Sequence, residues 1–249
     1  MKADVRIFKD SDALSKAATD IFIQAAKHAI ETRERFLVAL SGGGTPSGLY
    51  HLLANEPYHN EINWENTFVF WGDERCVSPN DAGSNYYQAH EILLKHVPLP
   101  GENILRVKGE LQPEQASDAY AQTLKDFADP GLDWPHFDLV LLGMGDDGHT
   151  ASLFPGSPVE TTSPTLAVTG HYQGRPANRV TLTPWVFNSA RKVLFLVTGE
   201  GKAVTLSRVL SDISNQEQYP VQRIQPTDGQ VIWLVDEAAA ANFNEKSYP

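Results

Sequence analysis

Leu139-Val140-Leu141-Leu142-Gly143-Met144-Gly145-Asp146-Asp147-Gly148-His149-Thr150-Ala151-Ser152-Leu153-Phe154-Pro155 joins four apolar residues to a turn of three glycines, two aspartates and a histidine. An unbroken apolar run too short for a helix predicts a strand buried on both faces, as in a parallel sheet. Glycines at 143, 145 and 148 predict a tight loop able to approach a ligand closely. Open α/β sheets bind ligands outside the carboxyl ends of their strands, where this loop would place Asp146, Asp147 and His149. Imidazole is among the few side chains that titrate near neutral pH, and His149 is read as a general base. An ordinary connection, with aspartate capping the next helix and histidine in solvent, has the same local pattern. The rest of the chain separates the two readings.

Working outward, apolar residues Leu14, Ala18, Ile21, Phe22, Ala25, Ala29 and Ile30 recur at helical spacing between Asp10 and about Glu34. Phe36 to Leu40 is a second buried-strand run, followed by Ser41-Gly42-Gly43-Gly44-Thr45-Pro46 and a helix predicted over Ser47 to Ala54. Glycines between a strand and a helix start expose backbone N–H groups at the positive end of the helix dipole, which makes an anion cradle. The cradle departs from the Walker pattern, since Leu49 stands at the lysine position, and from G-x-G-x-x-G, since Ser47 replaces the third glycine. Thr67 to Trp71 is a third strand, ending in Gly72-Asp73-Glu74-Arg75. That cluster is either a solvated turn or, facing a cleft, a place where Arg75 binds an anionic oxygen and Asp73 or Glu74 orients a base.

Helices are predicted with Tyr86, Tyr87, His90, Leu93, Leu94 and Val97 inward, and over Pro113 to Phe127. Beyond Pro155 the Ser-, Thr-, Pro- and Gly-rich segment predicts a long excursion at about 156–177 with one short strand near Leu166 to Val168. Arg179 to Thr183 and Lys192 to Val197 read as strands, the second leading through Thr198-Gly199-Glu200-Gly201-Lys202 into a helix through Leu206 and Leu210. Lys202 thus stands at a helix start suited to phosphate. Gln230 to Val235 is the last strand, and Asp236 is expected to cap a short alanine-rich helix.

Strands alternating with helices predict a doubly wound, three-layer α/β/α fold with a mostly parallel central sheet, Rossmann-like, formed by residues 1–249 as one domain. Right-handed crossovers bring all strand carboxyl ends to one edge. Four of those ends carry Gly-Gly-Gly-Thr, Gly-Asp-Glu-Arg, Gly-Asp-Asp-Gly-His and Gly-Glu-Gly-Lys. Their convergence implies acid–base chemistry on a small phosphorylated molecule, with Arg179 and Lys202 supplying local positive charge.

Composition narrows the partners. A formal net charge of −11 and no basic run disfavour nucleic acid and anionic membranes. The start at Met1-Lys2-Ala3 lacks an apolar signal segment and no window has a membrane helix's ~18 apolar residues, so a cytoplasmic protein is expected. A single cysteine, Cys76, excludes an internal disulfide and a multi-thiolate metal site, and packing is its expected role. No G-x-S-x-G elbow and no metal-ligand triad is apparent. Monomer and homodimer both remain open.

Ser41 to Pro46, Trp71-Gly72-Asp73-Glu74-Arg75, Ser84-Asn85-Tyr86, Gly143 to Pro155, Arg179-Val180-Thr181 and Thr198 to Lys202 together resemble the 6-phosphogluconolactonase family, within the superfamily shared with glucosamine-6-phosphate deaminase. The blocks keep the family's order and span nearly the whole chain. The resemblance implies hydrolysis of the δ-lactone of 6-phosphogluconate in the oxidative pentose phosphate pathway, without metal or organic cofactor. It implies that Gly43, Gly44, Thr45, Arg179 and Lys202 bind phosphate. His149 would activate water, with Asp147 or Asp73 holding its ring, and Arg75 would favour the oxyanion. In the deaminases the resemblance implies a glutamate five residues after the histidine, where this chain has Phe154. A phosphosugar-binding protein without catalysis is the remaining alternative.

Overall fold

A computed structural model of the chain describes residues 4–157, 161–211 and 214–243. The first half runs β1 (Asp4–Phe8), α1 (Ser11–Arg33), β2 (Phe36–Leu40), α2 (Thr45–Leu53), β3 (Thr67–Trp71), β4 (Asp73–Arg75), α3 (Asn85–Ile92) and α4 (Pro113–Asp126). The second half runs β5 (Leu139–Leu142), β6 (Thr165–Thr169), β7 (Asn178–Leu182), α5 (Pro184–Asn188), β8 (Lys192–Val197), α6 (Ala203–Val209) and β9 (Gln230–Asp236). Six strands pair in the order β1-β9-β8-β5-β2-β3, every pairing parallel. From β2 the chain builds outward through β3, then crosses back to β5 and builds the other way through β8 and β9. The order therefore reverses between β2 and β5, and ligand crevices open at such a reversal.

Continuous apolar strands are explained by two cores, one on each sheet face. Leu37, Ala39, Val140, Leu142, Val193 and Phe195 share one core with Ala116, Tyr120 and Leu124 of α4 and Leu206 of α6. Their strand neighbours Phe36, Val38, Leu40, Leu139, Leu141 and Leu194 share the other with Leu14, Ala18 and Phe22 of α1 and Leu49 and Tyr50 of α2. Alternate residues point to opposite faces, so the sheet is covered on both sides and the layering is α/β/α. Each such large side chain contributes roughly 1.5–3 kcal/mol by leaving water. Helix α1 begins where the Asp10 carboxylate accepts the Ala13 N–H at 2.9 Å, and it ends at Glu34 in the left-handed region, φ 60°.

Several expectations need correction. Asp73-Glu74-Arg75 is a buried strand, not a turn, and lies in a second sheet of order β4-β7-β6 with antiparallel pairing. Gly72 marks the departure, since its N–H still bonds Leu40 O while its carbonyl accepts the Leu182 N–H. Asp236 caps a turn rather than a helix, accepting the Ala239 N–H at 2.7 Å. Strand β1, a sheet edge, was not anticipated, although the Val5 and Ile7 alternation around Arg6 is a weak signal for it. The excursion at 156–177 contains β6, while its residues 158–160, like Met1 to Ala3, lie outside the described residues. Among the described residues no helix is long and apolar enough to cross a membrane.

Candidate active site

His149 is the side chain around which the loop after β5 is built. Its Nδ1 lies 2.6 Å from Asp147 Oδ1, and the same oxygen accepts the His149 backbone N–H at 3.0 Å. A carboxyl group bonding the N–H two residues on is a local Asx arrangement, so the spacing Asp-x-His itself orients the ring. Burial would raise the Asp147 carboxyl, but the hydrogen bonds from the His149 ring and backbone outweigh it and hold it below the usual carboxylate range. An ionised carboxylate only accepts, so Nδ1 is the donor in this contact, and in the neutral ring that places the lone pair on Nε2. Glycine is required at 145, because a Cβ there would stand 2.1 Å from His149 Nδ1 and 2.6 Å from Asp147 Oδ1. Gly145→Ala is expected to displace the ring and lower turnover on the order of tenfold, read in steady-state rates with unchanged expression and fold.

The second carboxylate named for His149, Asp73, is engaged elsewhere. Its Oδ2 accepts Ser152 Oγ–H at 2.6 Å and its Oδ1 the Asn85 side-chain amide at 3.2 Å. Glu74 does not orient a base either. Its carboxylate accepts from Ser84 Oγ and from the backbone N–H groups of Arg75, Asn85 and Tyr86, at 2.7 to 2.9 Å, and so holds the start of α3. Burial nevertheless pushes the Glu74 carboxyl up, against those four bonds.

Arg75 and Arg179 face each other across the β4–β7 register. Arg75 donates from one terminal nitrogen to Gly83 O at 2.7 Å, and Arg179 donates Nε–H to Pro176 O at 3.1 Å. Arg75 Nε and a terminal nitrogen of Arg179 are buried without a hydrogen-bond partner among the described residues. Burial lowers the Arg179 guanidinium from its usual value, the neighbouring Arg75 adds to this, and Asp73 opposes it. Two buried like charges with unsatisfied donors are an arrangement that an anionic ligand would complete.

At the glycine cradle, Gly43 does not offer its N–H freely, because that group donates to Gln88 Oε1 at 3.0 Å while Gln88 Nε2 donates to Gly43 O at 2.8 Å. Gly44 and Thr45, at the start of α2, retain the orphan N–H positions of a helix terminus. Thr45 Oγ1 sits 2.9 Å from Thr198 Oγ1, which ties the cradle to the end of β8. Lys202 is delivered by the turn at Gly199, whose φ is +96° and whose N–H is held by both carboxylate oxygens of Asp236 at 3.0 Å. Burial lowers the Lys202 amine, against the pull of Asp146 and Asp147.

Gly43, Gly44, Thr45, Asp73, Arg75, His149, Arg179 and Lys202 line one cleft of about 580 Å³, and Asp147 acts on it through the His149 ring. The aromatic ring of Phe154 links the imidazole to the cations, with centroids 4.8 Å from His149 and the Arg179 guanidinium carbon 5.2 Å from its centre. Sequence reasoning missed Gln88, Ser152, Tyr172, Arg175 and Asp236. Gln88 and Asp236 looked like ordinary helix and cap residues, and the other three act through partners far away in sequence or lie in a stretch dominated by turn formers. Among the described residues no group of three His, Cys, Asp or Glu side chains is placed to hold a metal ion.

Comparison with known proteins gives the family. A 6-phosphogluconolactonase of Nostoc sp. is 38% identical over 247 residues, covering 98% of this chain and 100% of the relative. One from Synechocystis sp. is 42% identical over 218 residues, covering 86% of this chain and 88% of that one. The solved 6-phosphogluconolactonase of Trypanosoma brucei superposes with a TM-score of 0.85 at 26% identity, over 98% of this chain and 99% of that one. The model of the glucosamine-6-phosphate isomerases/6-phosphogluconolactonase family matches residues 9–233, and the chain belongs to that family.

Proposed function

We propose that the cleft hydrolyses 6-phospho-D-glucono-1,5-lactone to 6-phosphogluconate, the lactonase step of the oxidative pentose phosphate pathway. The observation that carries this reading is an imidazole whose Nδ1 lies against Asp147, sharing one cleft with two arginines that each keep one buried guanidinium nitrogen without a partner among the described residues. His149 Nε2 takes a proton from water as the water oxygen bonds to the lactone carbonyl carbon. Negative charge moves to the carbonyl oxygen, where Arg75 stabilises it. Collapse breaks the bond to the ring oxygen, which receives the proton back from the imidazolium. The product acid then loses its proton to solvent. Base assistance of this kind is worth ~10²–10⁴ in rate, and stabilising the oxyanion adds on the order of 10²–10³. The phosphate, remote from the reacting carbon, is held by Arg179, Lys202 and the Gly44–Thr45 helix start.

Ring opening and isomerisation of an amino sugar is a less suitable assignment. At 154, where the resemblance implies a deaminase glutamate, Phe154 is packed between His149 and Arg179 and cannot carry protons. Offering the purified protein freshly prepared phosphogluconolactone and glucosamine 6-phosphate in parallel tests the choice. Lactone hydrolysis well above the spontaneous rate, with no ammonia from the amino sugar, is expected, and the reverse outcome removes the proposal. Lys202→Ala is expected to raise KM about tenfold, the value of one charge-assisted hydrogen bond, with kcat within about threefold. A fall in kcat at unchanged KM would contradict its role in binding.

A further inference from the structure

The segment joining β6 to β7 contributes Tyr172, Gln173 and Arg175 to the cleft wall, and none takes part in the chemistry above. Tyr172 donates its hydroxyl to Asp146 Oδ1 at 2.7 Å and meets the His149 ring edge-on, centroids 4.5 Å apart. Burial, then the bond to Asp146, pushes the Tyr172 phenol up to about 12, so it stays a donor at neutral pH. Three residues on, the Arg175 backbone N–H bonds Tyr172 O at 3.0 Å, and its guanidinium carbon lies 5.9 Å from the Tyr172 ring centre. The tyrosine thus fixes both ends of a short link between the loop of His149 and the arginine.

Arg175 stands in electrostatic reach of both Arg179 and Lys202, disfavouring the charged form of each in addition to burial. No carboxylate forms an ion pair with it among the described residues. Three cations drawn together on one wall repel one another, and a dianion offsets that repulsion far better than a neutral sugar does. An exposed arginine held by stacking on an aromatic ring also gives up less freedom when it binds.

We propose that Arg175 is a specificity-determining residue that grips the phosphoryl group between Arg179 and Lys202, and that Tyr172, through its bond to Asp146, is the positioning residue that holds Arg175 there. This rests on the lactonase reading for its substrate, and makes the enzyme selective for phosphorylated over unphosphorylated lactones.

Arg175 is exposed, so its truncation leaves both cores intact. The test compares wild type, Arg175→Ala, Arg175→Lys, Tyr172→Phe and the Arg175→Ala/Tyr172→Phe pair on the phosphorylated lactone and on glucono-1,5-lactone, with calorimetric affinity for inorganic phosphate as a reading independent of turnover. Arg175→Ala is expected to raise KM for the phosphorylated lactone about tenfold or more, weaken inorganic phosphate in parallel, and leave kcat and the unphosphorylated lactone within about threefold. Arg175→Lys should recover part of the loss. Tyr172→Phe should raise KM by a smaller factor, and the pair should be no worse than Arg175→Ala alone. KM and phosphate affinity within about twofold of wild type in Arg175→Ala overturn the proposal, as does equal damage on both lactones. A wild type that binds phosphate through Arg175 but hydrolyses neither lactone would instead defeat the lactonase reading.

Discussion

His149→Ala is expected to lower kcat by about 10²–10⁴ while affinity for 6-phosphogluconate stays within about threefold of wild type. The split follows from where the ring sits. Nδ1 is committed to Asp147, the ring edge and face are packed by Tyr172 and Phe154, and Nε2 is the atom left to a water in the cleft. The groups proposed to hold phosphate, Arg179 and Lys202, have their polar anchors away from the imidazole, at the Pro176 carbonyl and at the Gly199 turn held by Asp236. Removing the imidazole therefore deletes the proposed base and leaves the anchors of the proposed clamp in place. Backbone geometry should survive as well, because the Gly145 N–H to His149 O bond of 2.8 Å does not involve the side chain. Thermal melts alongside the kinetics check that point, and wild-type turnover in this variant would remove the base from His149.

The second large effect is expected from Asp147→Asn, a fall in kcat on the order of 10²–10³ with KM nearly unchanged. The carboxylate accepts from the ring and from the His149 backbone N–H with one oxygen. An amide places either its oxygen there, keeping both bonds without the charge that stabilises the imidazolium, or its NH₂, which loses the backbone bond and makes Nδ1 the acceptor. In the first case the imidazolium is less favoured, and in the second the ring proton moves to Nε2, so either orientation weakens the proposed base. The wild-type arrangement has the opposite bias, since the two hydrogen bonds hold the Asp147 carboxyl below its usual range and keep it ionised. Steady-state kinetics with a parallel proton NMR reading of the imidazole N–H tests both halves. An unaltered kcat in Asp147→Asn would leave the ring's orientation to some other group.

The elements legible from sequence are those whose reason for existing is local. β2, β3 and β8 match the apolar runs residue for residue because a strand buried on both faces needs no polar alternation. α1 was readable from its 3.6-residue stripe, and the structure adds the Asp10 cap at its start. β4 was not, because Asp73, Glu74 and Arg75 become tolerable inside only through partners supplied by Ser152, Ser84, Asn85 and Gly83, which no window around them contains. The same distinction divides the candidate site. Glycines and charges at four strand ends announced the cleft, and β8, β5, β2 and β3 prove to be consecutive neighbours in the sheet. The choice between Asp147 and Asp73 stayed open until the geometry showed which oxygen lies against Nδ1, although the two-residue spacing to His149 already favoured a local bond. Gln88 taking the Gly43 N–H, and Arg175 reaching the cations from a Gly- and Pro-rich stretch, depend on chain paths that composition does not encode.

Placing the reacting carbon is the most direct measurement. In a crystal structure with 6-phosphogluconate bound, the carboxylate at C1 is predicted within hydrogen-bond distance of His149 Nε2, with the phosphate against Arg179 and Lys202. A bound molecule with its phosphate at His149 and its C1 end toward solvent would contradict the assignment of that imidazole to lactone hydrolysis.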